Sequence, residues 1–261
     1  MTEYEAVVLD IDGTIVRGDE LLPGATDGIH ALEEAGCSRL LFSNNPTRGR
    51  AHYGEKLAPH GLEVEPETVL TSATVTAQYL SDTHPGERVF LVGSPRLEAI
   101  LEDRSIVVTT DPADANVVLG SFDRDFSYDD LAEALSALEG DTAFYGTDPD
   151  TTIPVDGGTI PGSGAILAAM EAASGREPDA ILGKPSAIAA EAAMARLDAD
   201  PGQTLVVGDR LDTDIALGKQ AGMDTAVVLT GVTERADLEA GTTGPEPDHV
   251  LESLGNIETI L

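Results

Sequence analysis

The chain of 261 residues carries 47 acidic and 15 basic side chains, which gives a formal net charge of -32. Nucleic acids and anionic membranes both bind basic surfaces, so this charge excludes both kinds of partner. Cys37 is the one cysteine, so no intrachain disulfide and no cysteine-rich metal site can form. The sequence contains no leader pattern at its start and no apolar run of roughly 20 residues that could span a bilayer. We therefore expect a globular, cytoplasmic protein.

The acidic residues are scattered over many segments, and lysine occurs only at Lys56, Lys184 and Lys219, against twelve arginines. This composition is typical of a halophilic cytosolic protein; the alternative is an acidic enzyme from a cell with ordinary salt. In molar salt the Debye length falls to about 3 Å, so repulsion between surface carboxylates is largely screened.

Short apolar runs alternate with helical patterns along the chain. A helix is predicted from Ala25 to Ala35, ending at the left-handed Gly36, and another in the alanine-rich segment from Ser186 to Leu197. Strands separated by helices pair in parallel through right-handed crossovers, which predicts a doubly wound α/β sheet. The predicted strands are Ala6 to Leu9, Leu40 to Phe42, Val69 to Leu70, Val89 to Val92, Val117 to Leu119, Ala143 to Tyr145, Ala180 to Leu182, Leu205 to Val207 and Ala226 to Leu229.

Two carboxylates directly follow the first predicted strand, in the segment DIDGT that begins at Asp10. Residues i and i+2 of a strand point the same way, so Asp10 and Asp12 project together from the carboxyl edge of the sheet, where open α/β folds bind ligands. Adjacent acids and the small Gly13 suit a divalent cation. An acidic turn after a core strand is the alternative interpretation.

Polar segments follow two further predicted strands. Ser43 begins the segment SNNPT, whose hydroxyl and backbone amides could bind phosphate oxygens or could form an ordinary helix N-cap. Lys184 lies in the segment GKPS and could balance the charge of a phosphate, or could be a surface lysine.

The last segment, GDRLDTD, follows the strand that ends near Val207. Asp209 lies at the end of this strand, where its carboxylate could bind a metal. Asp214 falls in the first turn of the next helix. A capped helix with acids complementing its dipole is the alternative.

These four segments, each directly after a β-rich run and in this order, make the sequence resemble the haloacid dehalogenase superfamily. Its motifs are a DxDGT loop, a Ser/Thr after the second strand, a lysine and GDxxxTD. FSNNPT, GKPS and GDRLDTDI are similar to the class IIA group, which contains NagD-like and nitrophenylphosphatase-like proteins. The resemblance covers essentially the whole chain. It implies a Rossmann-like core of residues 1–82 and 179–261, with an inserted αβ cap domain of residues 83–178 that selects the substrate.

The resemblance implies a magnesium-dependent reaction. Asp10 is then the nucleophile that becomes phosphorylated, and Asp12 is the general acid and base, whose backbone carbonyl also binds Mg²⁺. Asp10 and Asp209 supply side-chain ligands to Mg²⁺. Asp214 holds the metal's waters or orients Lys184.

The same resemblance implies a phosphate-binding set of Ser43, the amide of Asn44, and Lys184. It also points to the cap segment GTDPD, which is similar to the TNPD stretch of the family, but with Asp148 in place of the asparagine. An extra carboxylate near the leaving group would disfavour acidic substrates, so we expect Asp148 to contribute to substrate selectivity.

The implied function is hydrolysis of a small phosphate ester, with a sugar phosphate or a nucleotide favoured and phosphoglycolate or pyridoxal phosphate as alternatives. A receiver-like signalling module and a catalytically silent protein that binds phosphometabolites are the alternatives from other classes. The expected oligomeric state is a monomer or a homodimer.

The charge generates a prediction about salt. The melting temperature should rise steeply between low and molar KCl, because screening removes repulsion among the surface carboxylates. Calorimetry over a KCl series measures it, and a melting temperature that stays constant across the series would remove the halophilic interpretation.

Overall fold

The computed structural model describes residues 4–155, 157–241 and 244–261. It forms two compact units. Unit 1 consists of the stretch that ends at Ser43, together with Arg50–Leu70 and Ala189–Leu261; unit 2 consists of Asn44–Gly49 and Thr71–Ile188. The division into a core of residues 1–82 and 179–261 and a cap of residues 83–178 stays a prediction.

Strands and helices alternate along most of the chain. The strands are β1 (Ala6–Leu9), β2 (Val16–Arg17), β3 (Glu20–Leu21), β4 (Ser38–Ser43), β5 (Val69–Thr71), β6 (Arg88–Val92), β7 (Val107–Thr109), β8 (Val117–Gly120), β9 (Ala143–Gly146), β10 (Thr152–Val155), β11 (Gly158–Pro161), β12 (Ala180–Ile181), β13 (Thr204–Gly208), β14 (Asp224–Val228) and β15 (His249–Leu251). The helices are α1 (Ala25–Glu34), α2 (Arg50–Leu57), α3 (Ser72–Thr83), α4 (Pro95–Glu102), α5 (Tyr128–Ala137), α6 (Ser163–Ser174), α7 (Ala187–Leu197), α8 (Ala216–Ala221) and α9 (Arg235–Ala240).

The six-stranded sheet of unit 1 has the order β15-β14-β13-β1-β4-β5. β1 lies in its interior, parallel to β13 on one side and to β4 on the other. All four residues of β1 are buried, as expected for a strand covered on both faces. Leu9 pairs with Val207 and with Leu41, so these three strands reach the same edge of the sheet in register. Asp10 and Asp209, which follow β1 and β13, are therefore brought together.

A second parallel sheet, of order β12-β9-β8-β6-β7, forms the centre of unit 2. Alternation along its strands directs neighbouring side chains to opposite faces. Leu119 and Tyr145 pack in a cluster with α3 and α4, whereas Val118 and Phe144 pack in a separate cluster with α5 and α6. This unit thus has helices on both faces of a parallel sheet.

The predicted doubly wound parallel α/β class is confirmed, and the predicted strands all form, with bounds that differ by at most two residues. The strands that the sequence analysis missed are the hairpins β2–β3 and β10–β11, together with β7 and β15. Those strands are only two to four residues long, and most carry polar residues or proline, so their sequences hold no apolar run to recognise. No helix in the described ranges is long and apolar enough to cross a membrane.

Unit 2 also contains a buried carboxylate. Asp148 is 2% exposed and accepts hydrogen bonds from the hydroxyls of Ser163 at 2.7 Å and Thr147 at 2.9 Å, and from the backbone N–H of Asp150 at 3.2 Å. Burial, and secondly the charge of Asp150, raises the pKa of Asp148 from 3.8 to about 8. The hydroxyls hold this carboxylate inside unit 2.

The raised pKa generates a prediction about stability. A carboxyl whose pKa is higher in the folded than in the unfolded chain binds more protons when folded, so the free energy of unfolding falls as the pH rises from about 4 to about 8. Asp148→Asn stays neutral and should flatten that decline, gaining stability relative to the wild type at pH 8 but not at pH 4. Urea denaturation at both pH values measures this, with the exposed Asp141→Asn as the control. Parallel pH profiles of the wild type and Asp148→Asn would refute it.

Candidate active site

Three buried carboxylates lie together in unit 1. Asp10 directly follows β1, Asp209 directly follows β13, and Asp214 lies in the π-helical turn Leu211–Ile215. One carboxylate oxygen from each lies within 4.8 Å of the other two, and the residues are only 8%, 1% and 1% exposed. Oxygen donors in such an arrangement are the ligands that Mg²⁺ and Ca²⁺ prefer. The three side chains could hold a divalent cation, and this is the only such group in the described part of the chain.

Glycines make room for these carboxylates. A Cβ on Gly13, whose φ is 104°, would lie 2.3 Å from Oδ2 of Asp209. A Cβ on Gly208 would lie 2.2 Å from Cγ of Asp214. Real Cβ atoms do not approach so closely, so the backbone can close around the two carboxylates only where a side chain is missing.

Asp214 is held by the turn that contains it. Its Oδ2 accepts the backbone N–H of Arg210 at 3.1 Å, while its own N–H donates to the carbonyl of Arg210 at 3.1 Å. These two bonds fix both the backbone and the carboxylate of Asp214. Its position just before α8 agrees with the first helical turn predicted from the sequence.

Asp12 belongs to a second, more exposed cluster in unit 1. Its side chain is 45% exposed, and Nζ of Lys56 lies 2.9 Å from Oδ1. The hydroxyls of Tyr53 and Ser43 lie 3.3 Å and 3.4 Å from Oδ2. Tyr53 also donates to Oγ of Ser43 at 2.9 Å. Predicted residues Asp12 and Ser43 are therefore neighbours.

Burial, and secondly the charge of Asp12, raises the pKa of Tyr53 well above its ordinary value. Tyr53 thus stays protonated and acts as a hydrogen-bond donor in this cluster. Tyr53 and Lys56 are three residues apart on α2 and share one face of it. Neither residue was predicted from the sequence as part of the site. The scarcity of lysine was a signal that could have pointed to Lys56.

In unit 2, Asn44 and Lys184 are joined by a pair of hydrogen bonds although they are 140 residues apart. Nδ2 of Asn44 donates to the carbonyl of Lys184 at 3.0 Å, and the N–H of Lys184 donates to Oδ1 of Asn44 at 2.8 Å. Ser72 in turn donates to the carbonyl of Asn44 at 2.7 Å. The side-chain amide of Asn44 thus both donates to and accepts from the backbone of Lys184, as a neighbouring β-strand would.

The predicted site residues thus fall into four local groups. Asp10, Asp209 and Asp214 form one, Asp12 and Ser43 a second, Asn44 and Lys184 a third, and Asp148 lies with its hydroxyl partners in the fourth. The catalytic, phosphate-binding, metal-binding and selectivity roles assigned to these residues stay predictions.

Comparison with known proteins identifies the family. Residues 7–106 match the model of the haloacid dehalogenase-like hydrolases, and residues 181–257 match a HAD-hydrolase-like model. An acid sugar phosphatase from Staphylococcus aureus is 35% identical over 239 residues, which are 92% of each chain.

Solved structures agree with this match. The p-nitrophenyl phosphatase from Archaeoglobus fulgidus superimposes with a TM-score of 0.92 at 33% identity, covering 99% of both chains. NagD from Escherichia coli K-12 gives a TM-score of 0.87 at 30% identity, covering 100% of both chains. The chain therefore belongs to the haloacid dehalogenase superfamily, within its class IIA group of NagD-like proteins, and is a phosphatase.

Proposed function

We propose that this phosphatase hydrolyses a small phosphate monoester, favouring a sugar phosphate or a nucleotide, through a phosphorylated Asp10 and with Mg²⁺ as the cofactor. The observation that carries the proposal is the buried group of Asp10, Asp209 and Asp214, with oxygens within 4.8 Å of one another. Three carboxylates this close together are suited to binding a cation, and burying them without one would be unfavourable.

The proposed ligands are the carboxylates of Asp10 and Asp209 and the backbone carbonyl of Asp12, with Asp214 ordering the water molecules of the metal or orienting Lys184. Bound Mg²⁺ would offset the negative charge of the carboxylates and of the phosphoryl group. The chain carries a net charge of -32, so its overall field opposes an anionic substrate and cationic groups are needed locally.

In the first half of the reaction, a carboxylate oxygen of Asp10 forms a bond to phosphorus and the bond from phosphorus to the ester oxygen breaks. Asp12 gives its proton to that departing oxygen, so an alcohol leaves. In the second half, Asp12 takes a proton from water, whose oxygen attacks phosphorus. Inorganic phosphate departs and the Asp10 carboxylate is restored.

The proposed phosphate-binding groups are the Ser43 hydroxyl, the Asn44 backbone N–H and the Lys184 ammonium. They stabilise the charge on the equatorial oxygens of the transferring group. The hydrogen bonds between the Asn44 side chain and the Lys184 backbone support this assignment, because they fix the backbone from which the ammonium projects.

The acid sugar phosphatase relative supports a sugar phosphate as the substrate class. A nucleotide and the phosphoglycolate and pyridoxal phosphate alternatives belong in the same assay panel. The receiver-like and catalytically silent alternatives are not favoured, because the chain is a phosphatase.

The covalent step generates one prediction. Asp10→Asn should abolish turnover and leave no acid-stable label when the enzyme is quenched after mixing with ³²P-labelled substrate, because the amide is a poor nucleophile. The matched control is Asp19→Asn, the same chemical change at an exposed position, which should keep full activity and labelling. Full turnover by Asp10→Asn would end the covalent proposal.

A second prediction concerns Lys56, which we expect to hold the Asp12 carboxylate in place. General acid catalysis contributes roughly 10²- to 10⁴-fold, and it matters most for alcohols that leave poorly. Lys56→Met should therefore lower kcat/KM, which reports only the first half of the reaction, by about tenfold or more for an alkyl phosphate, but lower it less for 4-nitrophenyl phosphate, whose leaving group needs little protonation.

The control for this variant is Lys219→Met, because Lys219 pairs with Asp248 on the surface of unit 1. It should leave both rates unchanged. Equal losses by Lys56→Met on the two substrates, or no loss on either, would contradict the positioning role of Lys56.

A further inference from the structure

A loop that no motif of the sequence analysis included surrounds Asp209. It consists of residues 230–233 and follows β14. The N–H of Val232 donates to Oδ2 of Asp209 at 2.6 Å, and the N–H of Thr233 donates to the carbonyl of Asp209 at 3.1 Å. The loop therefore binds both the side chain and the backbone of this residue.

Gly231 allows the loop to approach so closely. A Cβ at this position would lie 1.8 Å from Oδ2 and 2.3 Å from Cγ of Asp209. On the other side, a Cβ on Gly13 would lie 2.3 Å from the same Oδ2. The carboxylate is thus enclosed between two glycines, which leaves it little freedom to rotate.

The loop is also bonded to the segment that follows β1. The hydroxyl of Thr230 donates to the carbonyl of Gly13 at 2.7 Å, and Nη2 of Arg17 donates to the carbonyl of Thr230 at 2.5 Å. One loop therefore contacts both of the segments that carry Asp10 and Asp209.

Apolar packing does not explain why the centre of the loop lies against Asp209, because the side chain of Val232 is 47% exposed. The contacts that hold the loop there are the hydrogen bonds to Asp209, together with those that join Thr230 to Gly13 and Arg17. A hydrogen bond to a carboxylate is about twice as strong as one between neutral groups, so the carboxylate and the loop order each other.

We propose that the loop of residues 230–233 is a positioning element for the cation site, holding the Asp209 carboxylate in the orientation that binds Mg²⁺. The orientation of the carboxylate depends on Gly231 and on the hydroxyl of Thr230. The inference rests on the proposed function, since it assumes that Asp209 is a metal ligand. Groups that orient a metal ligand typically contribute 10- to 100-fold to metal affinity.

The test is calorimetric titration of the metal-free full chain with MgCl₂ alone in molar KCl, which needs no substrate and no turnover. Gly231→Ala should weaken Mg²⁺ binding by about 10- to 100-fold, because its Cβ displaces the carboxylate. Thr230→Val, which replaces the hydroxyl by a methyl group, should weaken Mg²⁺ binding by about tenfold. Thr230→Ser, which keeps a hydroxyl, should bind Mg²⁺ as the wild type does.

The matched control is Gly49→Ala, because a Cβ at Gly49 would meet no atom within 4 Å and Gly49 has no positive φ. It should bind Mg²⁺ as the wild type does. Far-UV circular dichroism of each metal-free variant tests its folding; if Gly231→Ala does not fold, the Thr230→Val and Thr230→Ser pair decides the question.

Asp209→Asn separates the two ways in which the proposal can fail. If the wild type and Asp209→Asn bind Mg²⁺ equally, or neither binds it, the proposed metal centre is wrong and the loop inference falls with it. If Asp209→Asn loses binding while Gly231→Ala or, should that variant not fold, Thr230→Val binds as the wild type does, only the loop inference is overturned.

Discussion

The crowding of three buried carboxylates is the constraint on which the rest of unit 1 depends. Two like charges about 4 Å apart repel each other by about 4 kcal/mol at the effective dielectric constant near a protein surface. Asp10, Asp209 and Asp214 are within such reach of one another and almost wholly buried. We propose that a divalent cation offsets this repulsion, so that a locally unfavourable charge arrangement becomes a reaction centre.

The parallel sheet creates this crowding. β1 and β13 are adjacent and in register, so the residues that follow them leave the sheet side by side. Two short polar segments then close around the carboxylates through Gly13 and Gly208, where no side chain could fit. The strand order brings Asp10 and Asp209 close together, and the glycines allow the backbone to pack against the carboxylates.

Much of this arrangement could be predicted from the sequence because its signals are local. Asp10 and Asp209 each follow a short apolar strand, so the rule that ligands bind at the carboxyl edge of a parallel sheet predicts each of them at that edge, and the family resemblance implied that both bind one metal. The apolar runs of β1 and β13 likewise predicted both strands.

The remaining contacts could not be predicted because they join residues that are distant in sequence, and the neighbours of each residue do not indicate which partner it binds. The partner of Asp12 is Lys56 on a helix, and the partner of the Asn44 side chain is the backbone of Lys184. The hydrogen bond from the backbone N–H of Val232 cannot be predicted from residue type, because nearly every residue has a backbone N–H. For Asp148, the hydroxyl of Ser163 comes from the start of α6, 15 residues further along the chain.

The measurement that tests the central claim most directly is anomalous diffraction from crystals of the metal-stripped protein grown with Mn²⁺ in place of Mg²⁺. Mn²⁺ favours the same oxygen ligands and can be located by its anomalous signal. We expect one strong peak within about 2.2 Å of carboxylate oxygens of Asp10 and Asp209. A fully ordered acidic cluster with no peak, or a peak bound only elsewhere, would contradict the account.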